Sequence, residues 1–455
     1  MRRWSVASFI GTIWITLAFQ AHAESLRSVV AHAVATHPSI AASRATSNAT
    51  VWDMKAAQSR LLPELDVSAD IGPVIIDQPQ GFDPQVNDEW RLQRQISLTL
   101  RQILFDGGDR SNDIRRTAAL ADASSYRITE QSENIALDAV EAYIDVRRLV
   151  SILELARQNH KKLNAILGLV RDLTSGGSAP TSDLDQASER VAGAATVEQQ
   201  IEQALDEARA RYRQVVGNEP HGLEIVKLPP GVPKSAKLAV KIALAENSLV
   251  LALESEAEAA EFAVAQAKAG FLPTVNLEGV ATTGADVAGT PGPLDSLTGQ
   301  VRVQWNLYQG KGTTYRIRAF KERASKARLD VQVRGRQVGE VVERAYAAYA
   351  VGVQRVAAAR EQAVAAKRVI TAYQEEYKGG KRSLLDLLDA QNASFTSQFQ
   401  LTSAESVHVF SAYQLLGSMN HLLSTLGIAG TEEARTDLAD QSRQSLYSIN
   451  IEPLR

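Results

Sequence analysis

An internal repeat constrains the fold of this chain more than any other feature of its sequence. The segment Leu104-Phe105-Asp106-Gly107-Gly108 has a counterpart about 200 residues later in Leu307-Tyr308-Gln309-Gly310, a spacing far longer than the unit of a solenoid. At the same offset, Gly176-Gly177 corresponds to Gly379-Gly380. The repeat indicates a duplicated half-molecule in which each half has the same order of elements: a helix, two strands, a very long helix, a glycine-marked turn and a helix.

The first 23 residues have the composition of a secretory signal peptide. Arg2 and Arg3 give a positive start, residues 6–19 are mostly apolar, and Ala21-His22-Ala23 is a cleavage site with small flanking residues. A membrane anchor is the alternative, but the apolar run is too short to span a bilayer comfortably. We therefore expect residues 1–23 to be removed and the mature chain to begin at Glu24.

Charge and cysteine content exclude several classes of protein. The formal net charge is −3, unlike that of a strongly basic nucleic-acid-binding protein, so no nucleic-acid partner is expected. The absence of cysteine excludes disulfide bonds and a lipid-modified N-terminal cysteine in an exported protein. No segment after residue 23 is an apolar run long enough for a transmembrane helix, so entry into a membrane would require β-strands.

Four segments alternate between apolar and polar residues with the period of a β-strand. They cover about 64–77, 90–105, 273–284 and 298–308. In the second segment Ile96, Leu98 and Leu100 share one face, and the opposite face is polar. This alternation is typical of outer-membrane barrel strands, although a half-buried strand of a soluble sheet alternates in the same way. Hairpin loops rich in glycine, proline and aspartate, together with aromatic residues near the strand ends, favour the membrane interpretation.

The number of strands has a consequence for assembly. Four strands cannot close a barrel, and an open edge in lipid leaves unpaired backbone groups that each cost several kcal/mol. Two copies would give eight strands, whose interior is filled by side chains. Three copies would give twelve strands and room for a lumen, so the argument favours a trimer.

Very long helices make up most of the remaining chain. They are predicted over about 108–173, 182–217, 312–378 and 383–427, where good helix formers dominate and proline is rare. The longest would extend about 100 Å, so their neighbours must be other long helices. We predict a first repeat over 24–217, a proline-rich linker over 218–237, a second repeat over 238–427 and a polar C-terminal tail over 428–455.

Three motifs recur in the two halves of the chain. The first is Leu61-Leu62-Pro63, repeated as Phe271-Leu272-Pro273, before the first strand of each half. The second is the strand exit described above. The third is the segment 377–392, which begins Tyr377-Lys378-Gly379-Gly380 and has a weaker copy over 176–187. Together these motifs resemble the TolC-type outer-membrane efflux and secretion channel family. The resemblance covers about residues 25–426, nearly the whole mature chain.

The resemblance implies the architecture and partners of a tripartite export system. The fold class it implies is an α+β membrane protein: a homotrimeric twelve-stranded outer-membrane β-barrel with four strands per chain, continuous with a long periplasmic α-helical barrel. A periplasmic adaptor and an inner-membrane ABC or RND transporter would be its partners, and outer-membrane lipid would surround the strands. The wording of segment 384–392 is closest to members that serve type I protein secretion. The alternatives are a multidrug or metal efflux channel and, ranked lower, a non-channel periplasmic coiled-coil adaptor.

Five residues acquire roles through the same resemblance. Asp386 and Asp389 correspond to the rings of aspartate that narrow the pore, and their i, i+3 spacing places both on one helix face. Tyr377, Arg382 and Asp183 correspond to the contacts that hold the tip closed. The alternative is an ordinary solvated helix start, where acidic residues interact favourably with the helix dipole.

An enzyme is poorly supported by this sequence. The seven histidines are scattered, and none forms the paired spacing of a zinc protease. The glycine-containing segments at Gly107 and Gly310 lack the spacing of a phosphate-binding loop and are better interpreted as strand-to-helix junctions. We therefore expect no catalytic residue, cofactor site or metal site.

Overall fold

A computed structural model of the chain describes residues 24–75, 90–289 and 291–429. The predicted signal peptide, part of the first hairpin loop and nearly all of the predicted tail lie outside the described residues. The chain divides into two compact units. One contains the described residues within 24–32, 139–227 and 363–406. The other contains the four strands and the described residues within 33–138, 228–362 and 407–429.

The four strands form one antiparallel sheet in the order β1-β2-β3-β4. Their bounds are β1 Glu64–Val74, β2 Arg91–Phe105, β3 Thr274–Ala285 and β4 Pro293–Gln304. Because the second repeat continues the sheet beside the first, strands β1 and β4 are its two edges. Among the described residues, neither edge has a second strand partner.

The two faces of the sheet differ in polarity, as the alternation predicts. Residues paired across an antiparallel ladder lie on the same face. One row across the four strands consists of Val67, Leu98, Ala281 and Leu297. The adjacent row on the other face consists of Ser68, Ser97, Thr282 and Ser296. The apolar row is exposed in the single chain, with Leu98 at 41% and Leu297 at 85%, so this face has no cover within the chain.

The fourth strand is displaced from its predicted position at 298–308. It begins at Pro293 and ends at Gln304, because pairing with β3 extends as far as Ala285 opposite Pro293. A hydrogen bond of 2.7 Å from the Thr283 hydroxyl to Asp295 supports this extension. The glycine, proline and aspartate residues near position 290 predict a hairpin loop that continues to about residue 297. In the structure the loop ends before Pro293.

Nine helices occur in the described residues. They are α1 Leu26–Thr36, α2 Pro38–Ser59, α3 Asp109–Ser175, α4 Thr181–Val216, α5 Ala236–Glu246, α6 Ser248–Lys268, α7 Gly312–Lys378, α8 Leu384–Ser418 and α9 Leu422–Thr425. Both α3 and α7 contain 67 residues. No helix of the described residues has a stretch both long and apolar enough to cross a membrane.

The shorter helices contain breaks that the repeat pattern did not predict. In each half the first helix is divided in two, and the second part starts at a side-chain cap. At the start of α2, His37 Nδ1 accepts a hydrogen bond from Ser39 N at 3.2 Å. At the start of α6, Asn247 Oδ1 accepts hydrogen bonds from Leu249 N and Val250 N. The predicted helix over 383–427 ends at Ser418, and Asn420 has a positive φ of 66°. Short polar side chains that bond to backbone N–H groups favour such helix starts.

A buried carboxylate binds the backbone at the start of α9, just after the end of α8. The two side-chain oxygens of Glu133 each accept one backbone N–H at 3.2 Å, from Leu422 and Leu423. Burial raises the pKa of Glu133 to about 7, although these two hydrogen bonds oppose the shift. The hydrophobic cluster beside it includes Leu415, Leu416 and Met419, so α8 ends in a closely packed region.

In the unit that contains residues 139–227, two tyrosines connect the start of the described chain with the segment after α4. The Tyr143 hydroxyl donates to the backbone oxygens of Glu24 at 2.6 Å and Glu224 at 3.2 Å. The Tyr212 hydroxyl donates to the Glu24 carboxylate at 3.2 Å. Both tyrosines are fully buried. The Tyr143 side chain therefore anchors the segment between α4 and α5 at Glu224.

Candidate functional site

The region with the predicted site residues, which we call the tip, consists of the end of α7, the start of α8 and the facing residues of α3 and α4. Helix α7 ends in a Schellman motif, in which Gly380 N donates to Tyr377 O at 3.0 Å and Lys381 N to Glu376 O at 2.9 Å. Gly380 has a φ of 71°, which a residue with a Cβ rarely adopts. Helix α3 ends in the same way, with Gly177 at a φ of 71°. Both glycine pairs therefore reverse the chain, as the repeat predicts.

Helix α8 starts with a side-chain cap. The Ser383 hydroxyl oxygen accepts a hydrogen bond from Asp386 N at 3.1 Å, and the same hydroxyl donates to the Asp386 carboxylate at 2.8 Å. Leu384, Leu387 and Leu388 are buried in a hydrophobic cluster with residues of α3, α4 and α7. The helical period then directs positions 386 and 389 away from this cluster, so the acidic pair lies on the face opposite to the packed one.

The two aspartates of this pair have different surroundings. Asp386 is half-buried and bonded to its own cap. The Asp389 side chain is 61% exposed and lies 3.5 Å from Nη2 of Arg190 in α4. The structure therefore adds a cation from the first repeat that the sequence reasoning missed. The only sequence signal for it was its position in the helix that the repeat aligns with α8.

Arg382 binds residues in the last turns of α7. Its guanidinium group lies 2.9 Å from the Glu376 carboxylate and 4.2 Å from the centre of the Tyr373 ring. The hydrogen bond to Glu376 raises the pKa of Arg382 above its ordinary value, and weaker contributions come from Tyr373 and Asp386. Glu376 and Tyr373 were missed from the sequence, where Tyr373 could have been found one helical turn before Tyr377.

Tyr377 and Asp183 are brought into electrostatic contact. Tyr377 packs against the hydrophobic cluster of the tip. Burial raises the pKa of Tyr377, and the negative charge of Asp183 raises it further. Within one chain, the predicted closure residues thus form two separate groups: Tyr377 with Asp183, and Arg382 with Glu376 and Tyr373.

This combination defines a class of protein. A duplicated chain with one four-stranded sheet, an exposed apolar sheet face and two helices of 67 residues has the fold of the outer-membrane channels. The sequence profile of the outer membrane efflux protein family matches residues 29–218 and 239–420. The chain belongs to this family, and its location is the outer membrane.

Individual relatives and a solved structure agree with the assignment. The chain is 29% identical over 335 residues to outer membrane efflux protein BepC of Brucella suis, covering 73% of this chain and 74% of that protein. It is 25% identical over 322 residues to alkaline protease secretion protein AprF of Pseudomonas aeruginosa, covering 68% and 66%. The crystal structure of the Campylobacter jejuni CmeC outer membrane channel superimposes with a TM-score of 0.76 at 14% identity, covering 92% of this chain and 89% of that one. The predicted family resemblance is confirmed.

Proposed function

We propose that three copies of this chain form a channel through the outer membrane. The observation that carries this proposal is the sheet, whose edges β1 and β4 have no partner among the described residues and whose apolar face is exposed. Pairing of β4 in one copy with β1 in the next satisfies the edges, and three copies give twelve strands with an apolar exterior. The long helices of the three copies then surround a common passage on the periplasmic side.

The channel serves as the outer-membrane component of a tripartite export system. A periplasmic adaptor and an inner-membrane ABC or RND transporter are the partners, and the energy comes from the transporter. Asp386 and Asp389 line the constriction of the passage. Tyr377, Asp183 and Arg382 hold the tip in its closed form. The exposed polar contacts of the tip support this role, because such contacts cost little to break.

Protein secretion by a type I system is the cargo class that we favour. It is supported by the wording of segment 384–392 and by the relative named as an alkaline protease secretion protein. Efflux of small molecules is the second candidate, supported by the relative named as an efflux protein. The presence of genes for an ABC transporter and an adaptor next to this one would favour secretion.

Deletion of the gene distinguishes the two cargo classes. Quantitative mass spectrometry of the culture medium should show the loss of one or a few secreted proteins, with full recovery on complementation. Sensitivity to a panel of drugs and metal ions is measured in the same strains. Unchanged secreted proteins together with increased drug sensitivity would overturn secretion in favour of efflux.

Channel formation is tested with the purified protein. Unboiled gels and native mass spectrometry should give a mass three times that of the mature chain, and the trimer should conduct in planar bilayers. A monomer in mild detergent that produces no current would overturn the channel proposal for either cargo.

A further inference from the structure

We infer that Arg190 sets the ion selectivity of the tip by pairing with Asp389, so that Asp386 is the main uncompensated carboxylate of the constriction. This inference rests on the proposed channel function and specifies which residues determine its selectivity. It assigns a role to a cation of the first repeat that faces an acidic residue of the second.

The geometry of Arg190 supports the pairing. Its Nη2 atom lies 3.5 Å from Asp389 Oδ1, and its side chain is 39% exposed. Its Nε atom is buried and has no hydrogen-bond partner, although the carboxylate of the adjacent Glu189 lies 3.6 Å from it. The Nη2 end of the guanidinium group therefore reaches from α4 to α8, where Asp389 is its acidic partner.

In the part of the chain that the structure describes, no cation forms an ion pair with Asp386 at a comparable distance. Its carboxylate accepts a hydrogen bond from the neutral Ser383 hydroxyl. Arg382 interacts with it, but this contribution ranks below those of Glu376 and Tyr373, and Arg382 is bonded directly to Glu376 at 2.9 Å. The negative charge of Asp386 is thus less compensated than that of Asp389.

The repeat shows that the pairing cation is present in one half only. At the offset that aligns Asp183 with Asp386, Gln186 aligns with Asp389 and Ala393 aligns with Arg190. Each chain therefore contributes one Arg190 to the two aspartates of α8. In a trimer, three guanidinium groups would face six carboxylates, and three carboxylates would remain without a direct counter-charge.

The effect on ions follows from the range of electrostatic interactions. An isolated charge acts on ions over about 8 to 10 Å at physiological ionic strength. A carboxylate with a guanidinium group close beside it acts as a dipole, whose field decays faster with distance. Removal of Arg190 should therefore increase the negative potential in the constriction and concentrate cations there.

A double-mutant cycle tests the inference in planar bilayers. The potassium-to-chloride permeability ratio is obtained from the reversal potential in a KCl gradient for the wild type, Arg190→Gln, Asp389→Asn and the double variant. We expect Arg190→Gln to raise the ratio about two-fold or more. Asp389→Asn should lower it weakly in the wild-type background and strongly in the Arg190→Gln background. Arg190→Lys, which keeps the charge, should remain close to the wild type.

Additive effects would overturn the inference. If Asp389→Asn lowers the ratio by the same factor in both backgrounds, Arg190 does not compensate Asp389. Glu189→Gln serves as a control, because Arg190→Gln also removes the cation beside the Glu189 carboxylate. If Glu189→Gln fully suppresses the effect of Arg190→Gln on the permeability ratio, the inference is likewise overturned. Conducting trimers in all variants keep this outcome separate from failure of the proposed function, in which the wild type itself gives no current.

Discussion

The sheet and the tip are stabilised by contacts of different kinds. The strand-to-helix junction beside the sheet contains a buried ion pair, with Arg110 only 6% exposed and 2.6 Å from Asp106. Two ion pairs of the tip are at least partly exposed: Arg190 with Asp389, and Arg382 with Glu376. Buried pairs are strongly destabilising when one partner is removed, whereas exposed pairs contribute about 0 to 1 kcal/mol. The proposed trimer would assemble once through its sheet, whereas the proposed opening of the tip would require contacts that break readily.

The largest expected effect concerns the faces of the sheet. We expect Leu98→Arg or Val303→Arg to cost about 2 to 4 kcal/mol if these positions face the middle of the bilayer. The amount of trimer on unboiled gels should then fall sharply. The matched variants are Thr99→Arg and Gln304→Arg, whose positions lie on the opposite face of the sheet. Equal trimer yields for all four proteins would show that the apolar face does not contact lipid.

The junction itself provides the second comparison. Arg110 also donates to the backbone oxygens of Arg60 and Ile103, at 3.0 Å each. We expect Arg110→Met to cost about 3 kcal/mol, because the Asp106 carboxylate is left without its cation. The repeat aligns Thr313 with Arg110. The Thr313 hydroxyl makes a long hydrogen bond of 3.5 Å to the side-chain oxygen of Gln309. Thr313→Val should cost less than about 1 kcal/mol. The free energies of unfolding of both variants are measured by urea titration of the trimer. A larger loss for Thr313→Val than for Arg110→Met would contradict the stabilising role of the Arg110–Asp106 pair.

A glycine of α7 gives an effect of intermediate size. A Cβ atom added at Gly352 would lie 2.6 Å from Nδ1 of His408, whose ring is buried and stacks on Tyr349 at 5.1 Å. Gly→Ala in a helix ordinarily stabilises by about 1 kcal/mol. At Gly352 we expect destabilisation by about 1 to 2 kcal/mol instead, because the ring must move.

Gly335→Ala is the control for this prediction, since its added Cβ would make only an ordinary contact with Leu244, at 3.5 Å. Its melting temperature should equal or exceed that of the wild type. A Gly352→Ala protein that is as stable as Gly335→Ala would show that His408 adjusts without cost.

The sequence predicted the elements better than it predicted their partners. Period-two alternation, which is a local signal, located the four strands, and the repeat supported the assignment by placing two of them in each half. The start of β4 at Pro293 was missed, since pairing with β3 overrides the turn preference of the residues near position 290. At the tip, the glycine turns followed from local conformational preference, whereas the pairing of Arg190 with Asp389 depends on how two separate helices pack. No local pattern carries that information.

At the tip, loss of Arg382 should affect conductance more than stability. Its contacts with Glu376 and Tyr373 are partly exposed, so Arg382→Ala should cost less than about 1 kcal/mol and leave the trimer intact. Loss of these contacts should loosen the end of α7, and single-channel conductance should rise. Lys381→Ala, in the same turn, is the control. Conductance that stays at the wild-type value would remove Arg382 from the closure of the tip.

The smallest expected effect on assembly comes from the acidic pair. Asp386 and Asp389 lie away from the buried leucines of α8, so Asp386→Asn with Asp389→Asn should leave trimer yield and melting temperature unchanged. The same variant should lose most of its preference for potassium over chloride, because we propose the ring of these carboxylates as the source of that preference. Both properties are measured on one preparation, by unboiled gels and by reversal potential in a KCl gradient. A variant that keeps its cation preference would place the constriction elsewhere, with Asp183 and Asp185 of the first repeat as the next candidates. A variant that fails to assemble would instead assign these aspartates to the same class of contact as Arg110, and the contrast between sheet and tip would not hold.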